Sequence, residues 1–490
     1  MITLCLLLLL SLLLIVYVLE SERRPPNYPP GPKWWPFLGN GFILRELSKN
    51  LKGQHLALSK LGKDFNTSVL GLKLGRDLVV VGLSAEVIRA ILTRDVFTGR
   101  PLSFFMKLRC FGKRQGITST DGYIWKEQRA FTFRHLKQIG FGKETMDAMI
   151  MDEVKALIDA LKSEKITENI NEKTSLSVLN VLWALVTGKR LKKADDRLKR
   201  LLKLLSCRAR AFDMAGGTLN QMPWLRYIAP QKTGYSLLQE VNSELRCFLM
   251  ETIENYKKET NDRDTLIGAF LHEQKNQRNS SNFTDEQLIV ILLDLFLGGA
   301  QTTSQTLNFA FLLMIRNPEV QEKVHRHIVD TIGRDSLPTV EDKSKLAYVD
   351  AVLLEVMRMY CVVPIIGPRR SLENTVLNGY FIPKNTTMLL NINAAHYDET
   401  HFSEPFKFKP ERFLSSNGQL INQEGVFAFG LGKRRCLGEA LARSCLFLIF
   451  SGIMQNFEIT KLPNEPDPSL EPLGGITIAP KSYKAHFRWR

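Results

Sequence analysis
From Thr284 to Arg316 the sequence reads as one apolar helix of roughly 50 Å at 1.5 Å per residue, and the rest of the chain has to be arranged around it. Thr284 and Gln287 have the spacing of a capping box, and Asn317 with Pro318 stops the pattern. Asp294 interrupts the apolar run, which argues against a membrane span. At its middle stand Gly298, Gly299, Ala300, Gln301, Thr302 and Thr303. Adjacent glycines weaken a helix and predict a local opening, where the Thr302 hydroxyl can hydrogen-bond to a small bound molecule such as water.

The flanking sequence predicts a single large domain, mainly α with a minor β-sheet region (α+β), behind an N-terminal transmembrane helix. Helical periodicity dominates from Gly122 to about residue 330. Short β-branched runs such as Leu78 to Val81 precede it, strand signals return from Thr375 to Asn393, and residues 474–487 look like a closing hairpin. A content of 44% apolar and 24% charged residues in 490 excludes disorder as the default.

Residues 2–19 form an apolar run broken only by Thr3 and Ser11, about the length that crosses a bilayer. No basic residue precedes it and no small-residue cleavage site follows, so it reads as an anchor rather than a cleaved signal peptide. Arg23 and Arg24 lie just beyond, which places the remainder in the cytosol by the positive-inside rule. Seven scattered cysteines without zinc or disulfide spacing agree with a reducing compartment. The expected divisions are an anchor at 1–20, a basic and proline-rich hinge at 21–36 acting as a stiff spacer, and a domain at 37–490. The aromatic and basic mixture between Phe212 and Leu238 fits a bilayer-dipping segment and a plain helix connection equally well. A net charge of +16 suits a membrane surface, an acidic partner or nucleic acid, but no nucleic-acid recognition motif is present.

The sharpest chemical signal is FAFGLGKRRCLGEALAR, in which Phe429, Gly432, Arg434, Cys436 and Gly438 occupy a glycine-bracketed loop that runs into a helical pattern. A cysteine ahead of a helix N-terminus, with Arg434 and Arg435 nearby, is favoured as thiolate. Gly432 and Gly438 remove side chains where a flat macrocycle would approach the backbone. Arg434 can pair with a propionate and Phe429 can shield the sulfur from water. Elsewhere, Glu355 and Arg358 are three apart on a helix, a spacing that alone usually marks an exposed ion pair. Trp125 and Arg129 are four apart and share a helix face.

In this combination the chain resembles the cytochrome P450 family, over essentially its whole length and closest to the microsomal branch that includes vertebrate family two and related insect enzymes. The family signature of Phe, two residues, Gly, one, Arg, one, Cys, one, Gly is met at every fixed position, although Ala428 stands where proline is common. The resemblance implies the P450 fold, haem b with Cys436 as its axial iron ligand, and propionate contacts from Trp125, Arg129, Arg434 and Arg369. It implies that Glu355 and Arg358 join Arg412 in a structural triad. It makes Thr302 the proton-relay threonine, beside Gln301 where the family usually has an acid.

The implied activity is insertion of one oxygen atom from O2 into a lipophilic small molecule, namely a steroid, fatty acid, terpenoid or xenobiotic. NADPH-cytochrome P450 reductase, with or without a small acidic cytochrome, would dock on a basic face including Lys126, Lys433 and Arg435. The implied location is the endoplasmic reticulum membrane, single-pass, with the catalytic domain facing the cytosol. Pocket walls are expected around Phe104 and Phe105, Leu293 to Gln301, Val363 to Gly367, and Gly474 to Ile476. Two other readings stay open: a haem-thiolate isomerase or dehydratase acting on hydroperoxides, which Gln301 encourages, and a non-catalytic haem-binding lipid carrier or sensor.

Overall fold
The computed structural model describes residues 9, 11–12, 16, 23–36, 38–168, 170–191, 195–259, 264–276 and 282–490. The anchor expected at 1–20 lies outside the described residues except for Leu9, Ser11, Leu12 and Val16, which are helical.

The long helix spans Asp285–Arg316. The Thr284 hydroxyl accepts the Gln287 amide at 3.1 Å, as an N-cap should. The reciprocal half of the capping box is missing, because Gln287 Oε1 instead accepts the Gly116 amide at 3.2 Å. Leu288 to Leu293, Phe296 and Leu307 to Met314 are all buried. Burial on nearly every side identifies a core helix rather than a membrane span, and each such Leu, Ile or Phe contributes about 1.5–3 kcal/mol. The neighbours are the helices Ile170–Thr187, Ala347–Met359 and Glu439–Asn456.

The predicted opening at the glycine pair does not occur, since the helix is continuous through it. A Cβ at Gly299 would lie 2.3 Å from Leu182 Cδ1, so this glycine lets the helix Ile170–Thr187 approach closely. A Cβ at Gly298 would meet nothing within 4 Å, and this residue faces a cavity.

The principal sheet runs, in spatial order, Val69–Leu74, Asp77–Gly82, Thr387–Asn391 and Ile365–Arg370, with only the middle pair parallel. A bulge between Ile366 and Arg369 breaks the last pairing and turns the strand beside the cavity. The closing hairpin expected at 474–487 is not formed as such. Ala479–Pro480 pairs with Pro472–Leu473, while Ala485–Trp489 leaves to pair with Phe457–Thr460 and Ile166–Thr167. Pro480 has no amide hydrogen to carry the ladder onward, and Phe487 finds a buried place beside Phe457 and Phe311 instead.

The proline-rich hinge is docked rather than free. Tyr28 and Trp34 are buried, and the Tyr28 hydroxyl contacts the carbonyls of Val79 at 2.9 Å and Leu72 at 3.2 Å. Asn27 Nδ2 donates to Gly379 at 2.7 Å, and its own carbonyl accepts the Phe381 amide at 2.8 Å. Arg24 and Lys73 lie over the Trp34 ring at 5.3 and 5.4 Å, within cation–π range.

Candidate functional site
The loop before the helix Glu439–Asn456 is held by its own backbone. Phe427 accepts the Gly430 amide, and Phe429 accepts the Cys436 amide at 2.9 Å. Gly430 and Gly432 adopt φ of +65° and +68°, which costs a side-chain-bearing residue energy and glycine almost none. A Cβ at Gly432 would also lie 2.4 Å from the Leu92 carbonyl oxygen. Gly432 therefore makes room for protein backbone, not for a macrocycle as its position in the motif suggested. Gly438 does leave open space, with nothing within 4 Å of a Cβ.

Cys436, Phe429 and Gly438 line a cavity of about 320 Å³ whose opposite wall is the long helix at Asp294, Leu295, Gly298, Gly299, Thr302 and Thr303. Cys436 is exposed. Burial of its surroundings nonetheless pushes the thiol pKa up, against the pull of the Gly438 amide, Arg129 and Arg435. The Gly438 amide and the arginines pull toward the thiolate that the sequence suggested, and desolvation opposes them; coordination to a metal would itself favour the deprotonated form. The Thr302 hydroxyl donates to the Gly298 carbonyl at 2.6 Å, while Gln301 is not among the cavity-lining residues.

One side of this cavity is rich in cations. Arg434 spans to the carbonyls of Thr98 at 2.9 Å and Thr120 at 2.8 Å, and its guanidinium stacks 3.7 Å from the Trp125 ring centroid. Arg129 donates to the Arg435 carbonyl at 2.6 Å. Arg369 does not itself line the cavity; it is almost wholly buried, and among the described residues its guanidinium reaches the Leu92 carbonyl at 3.5 Å. Burial, then mutual repulsion, pushes the pKa of Arg434 down to about 8, of Arg369 to about 9 and of Arg100 to about 10. Among the described residues, the buried Trp125 Nε1, Arg369 Nε and Arg100 Nε meet no acceptor. Clustered, desolvated guanidinium groups with orphan donors are costly unless an anion joins them. A flat macrocycle carrying two carboxylates, over an open Gly438 and beside a sulfur, fits this donor set.

Arg100 was not found from the sequence. It lines the cavity and donates to the carbonyls of Pro368 at 2.8 Å and Gly367 at 3.2 Å, yet no motif surrounds it. Phe104 and Phe105 do not line the cavity but pack against Tyr235 and Phe212, in a separate cluster with Leu108 and Leu238. Of the expected 363–367 wall only Val363 lines the cavity. Residues 474–476 are absent from it, and Ile476 is 47% exposed.

Glu355, Arg358 and Arg412 meet as the resemblance implied, and the Glu355–Arg358 pair is desolvated rather than exposed as its spacing alone suggested. Glu355 and Arg358 are both 0% exposed, joined at 2.7 and 2.9 Å. Arg412 Nε reaches Glu355 at 3.1 Å and the Lys409 amide donates to it at 2.9 Å. Arg358 also donates to the carbonyls of His396 and Pro405, each at 2.8 Å. Each of the three charged groups thus has hydrogen-bond partners, as buried charges require.

Trp125→Phe is expected to keep the fold while removing one orphan donor. Haem retention during gel filtration should drop by roughly ten-fold, in the range seen when outer contacts of a bound group are lost. Unchanged retention would remove the indole from the carboxylate-binding set.

A sequence model of the family described as cytochrome P450 matches residues 29–487. A Drosophila melanogaster protein named probable cytochrome P450 305a1 is 41% identical, covering 96% of each chain. The farnesoate epoxidase of Bombyx mori is 36% identical over 99% of this chain and 98% of its own. Human cytochrome P450 2J2 is 35% identical over 95% and 92%.

Proposed function
Because this chain belongs to the cytochrome P450 family, a family of haem-dependent monooxygenases, we propose that it inserts one oxygen atom from O2 into a lipophilic small molecule. Electrons would come from NADPH through NADPH-cytochrome P450 reductase. The observation that supports this reading is that Cys436 and Thr302 line one cavity from opposite elements, beside an arginine cluster with orphan donors that the nearby Asp121 and Asp294 carboxylates only partly offset. Haem bound through Cys436 would supply the reductive activation of oxygen.

The chain's own residues have separate tasks. Trp125, Arg100, Arg129 and Arg434, which line the cavity, and Arg369 beside them would hold the two haem carboxylates. Phe429, braced by Arg443 at 4.9 Å, would shield one side of the otherwise exposed sulfur, and Gly438 leaves the face open. The Thr302 hydroxyl donates its one proton to the Gly298 carbonyl, so its oxygen can accept a hydrogen bond from a water, and passing a proton into the cavity requires the hydroxyl to rotate off that carbonyl. Gln301 can hold a water through its amide but cannot take up and release a proton. Thr302→Ala is expected to lower product formed per NADPH consumed, with product rate down by roughly 10²-fold if Thr302 serves as the acid–base relay. Full coupling in that variant would move the relay elsewhere.

The apolar run at 2–19 supports single-pass anchoring in the endoplasmic reticulum membrane with the domain in the cytosol. Exposed Trp35, Phe42, Trp224, Tyr227 and Ile228 are consistent with a face turned to the bilayer. The basic residues suited to reductase docking, Lys126, Lys433 and Arg435, are all exposed; Lys433 is paired with Asp95 and Arg435 with Glu439, and Lys126 has no ion pair among the described residues.

Reconstitution of the anchored protein with reductase and NADPH, followed by mass spectrometry, tests the proposal. Unsaturated sesquiterpenoid acids come first among the substrates, since a relative of full-length coverage is named a farnesoate epoxidase. NADPH-dependent gain of one oxygen is the expected result. Turnover of hydroperoxides without NADPH would favour the isomerase, and haem binding without turnover of any substrate would favour a carrier.

A further inference from the structure
Between the buried triad and the cysteine loop lies one side chain that touches both. His396 ends the short helix Ile392–His396 and is 0% exposed. Its Nδ1 is 3.1 Å from the Arg358 carbonyl oxygen, and its Nε2 is 3.0 Å from the Phe427 amide nitrogen. A carbonyl only accepts and an amide only donates, so Nδ1 carries the proton and Nε2 offers a lone pair. Only the neutral ring satisfies both neighbours. Burial, followed by repulsion from Arg358, pushes the ring's pKa down to about 3 and keeps it in that form. The imidazole also lies parallel to the Phe427 ring, with centroids 6.3 Å apart and an interplanar angle of 9°.

Phe427 is two residues from Phe429, whose carbonyl receives the Cys436 amide. The chain of contacts therefore runs from Glu355 to Arg358, through His396 to Phe427, and along the backbone to the sulfur-bearing residue. We propose that His396 is a positioning residue for the Cys436 ligand: its Nε2 lone pair pins the Phe427 amide and so fixes the loop that orients the thiolate. This assignment rests on the haem-thiolate reading, because it needs a ligand whose direction matters. Neither the spacing of the cysteine motif nor that of the triad contains position 396, so no local signal in the sequence identifies it.

Two amide substitutions separate the bonds. In His396→Asn the shorter side chain places its amide nitrogen where Nδ1 stood, keeping the Arg358 contact and abandoning Phe427. In His396→Gln the longer side chain reaches Phe427 with its carbonyl oxygen and abandons Arg358. The full-length holoprotein is reduced, treated with carbon monoxide, and the decay of its red-shifted Soret band is followed at fixed temperature. The Asn variant is expected to lose the band about ten-fold faster than wild type, and the Gln variant within about two-fold of wild type, as an outer contact to a metal ligand predicts.

Equal decay in both variants, or faster decay in the Gln variant, overturns the assignment in favour of a core-filling or triad-bracing role. If the Asn variant does not fold, the Gln variant decides alone: ten-fold faster decay there overturns the assignment, and near wild-type decay upholds it. A wild-type protein without the band would instead sink the haem-thiolate reading itself.

Discussion

Replacing Cys436 with serine is expected to abolish the red-shifted Soret band of the reduced, carbon monoxide-treated protein, and with it all substrate turnover. Serine is nearly isosteric, so the loop can keep its backbone bonds from Phe427 and Phe429. What disappears is the soft anionic donor that favours O–O cleavage. A serine hydroxyl is far harder to deprotonate than a thiol, and at this position even the thiol is pushed up by burial. Among the described residues, Cys361 is the only other cysteine at the cavity. It is 3% exposed, pushed up to about 12 by burial, and directed to the Val363 carbonyl. Cys361→Ser is accordingly the control, with its band intact. A band that survives in the Cys436 variant would dismiss the ligand assignment and the function built on it.

Glu355→Ala should be the most damaging substitution away from the cavity. It strands the Arg358 guanidinium in a site with 0% exposure and removes the acceptor of Arg412 and of the Lys409 amide in one step. Breaking one partner of a buried pair typically costs about 3–5 kcal/mol, against a total stability of about 5–15 kcal/mol for a folded domain. The expected outcome is expression without stable haem, or a holoprotein whose urea midpoint falls sharply. Glu355→Gln keeps the shape and loses only the charge, so it should fall between. If the alanine variant matches wild type in haem content and midpoint, the triad is not what holds the cysteine loop.

Much of the site was legible because its signals are local. Phe429, Gly432, Arg434, Cys436 and Gly438 fall within ten consecutive positions, and their pattern survives without knowledge of the fold. The Glu355–Arg358 spacing announced a pair, but its desolvation depends on Pro405, His396 and Arg412 arriving from elsewhere. Arg100 and His396 were invisible for the same reason, since an arginine or histidine has no meaning in a sequence until tertiary structure supplies its partner. Gly432 shows the reverse failure. Its motif position suggested clearance for a cofactor, whereas the space it keeps belongs to the Leu92 carbonyl. The continuous helix through Gly298 and Gly299 makes a similar point: glycine's intrinsic cost of about 1 kcal/mol in a helix is outweighed when close packing on Leu182 needs the missing side chain.

The docked hinge sets where the chain can be cut. Tyr28 and Trp34 belong to the same buried cluster as Val80, Ile88 and Met388, and Asn27 is stitched to the hairpin at Gly379 and Phe381. Excision at the end of the proline run would uncover two aromatic sockets and leave the strand carbonyls of Leu72 and Val79 without the phenol that meets them. A detergent-free form of the protein should therefore begin no later than Arg23, and the prolines that look like dispensable tether are the first course of the folded body.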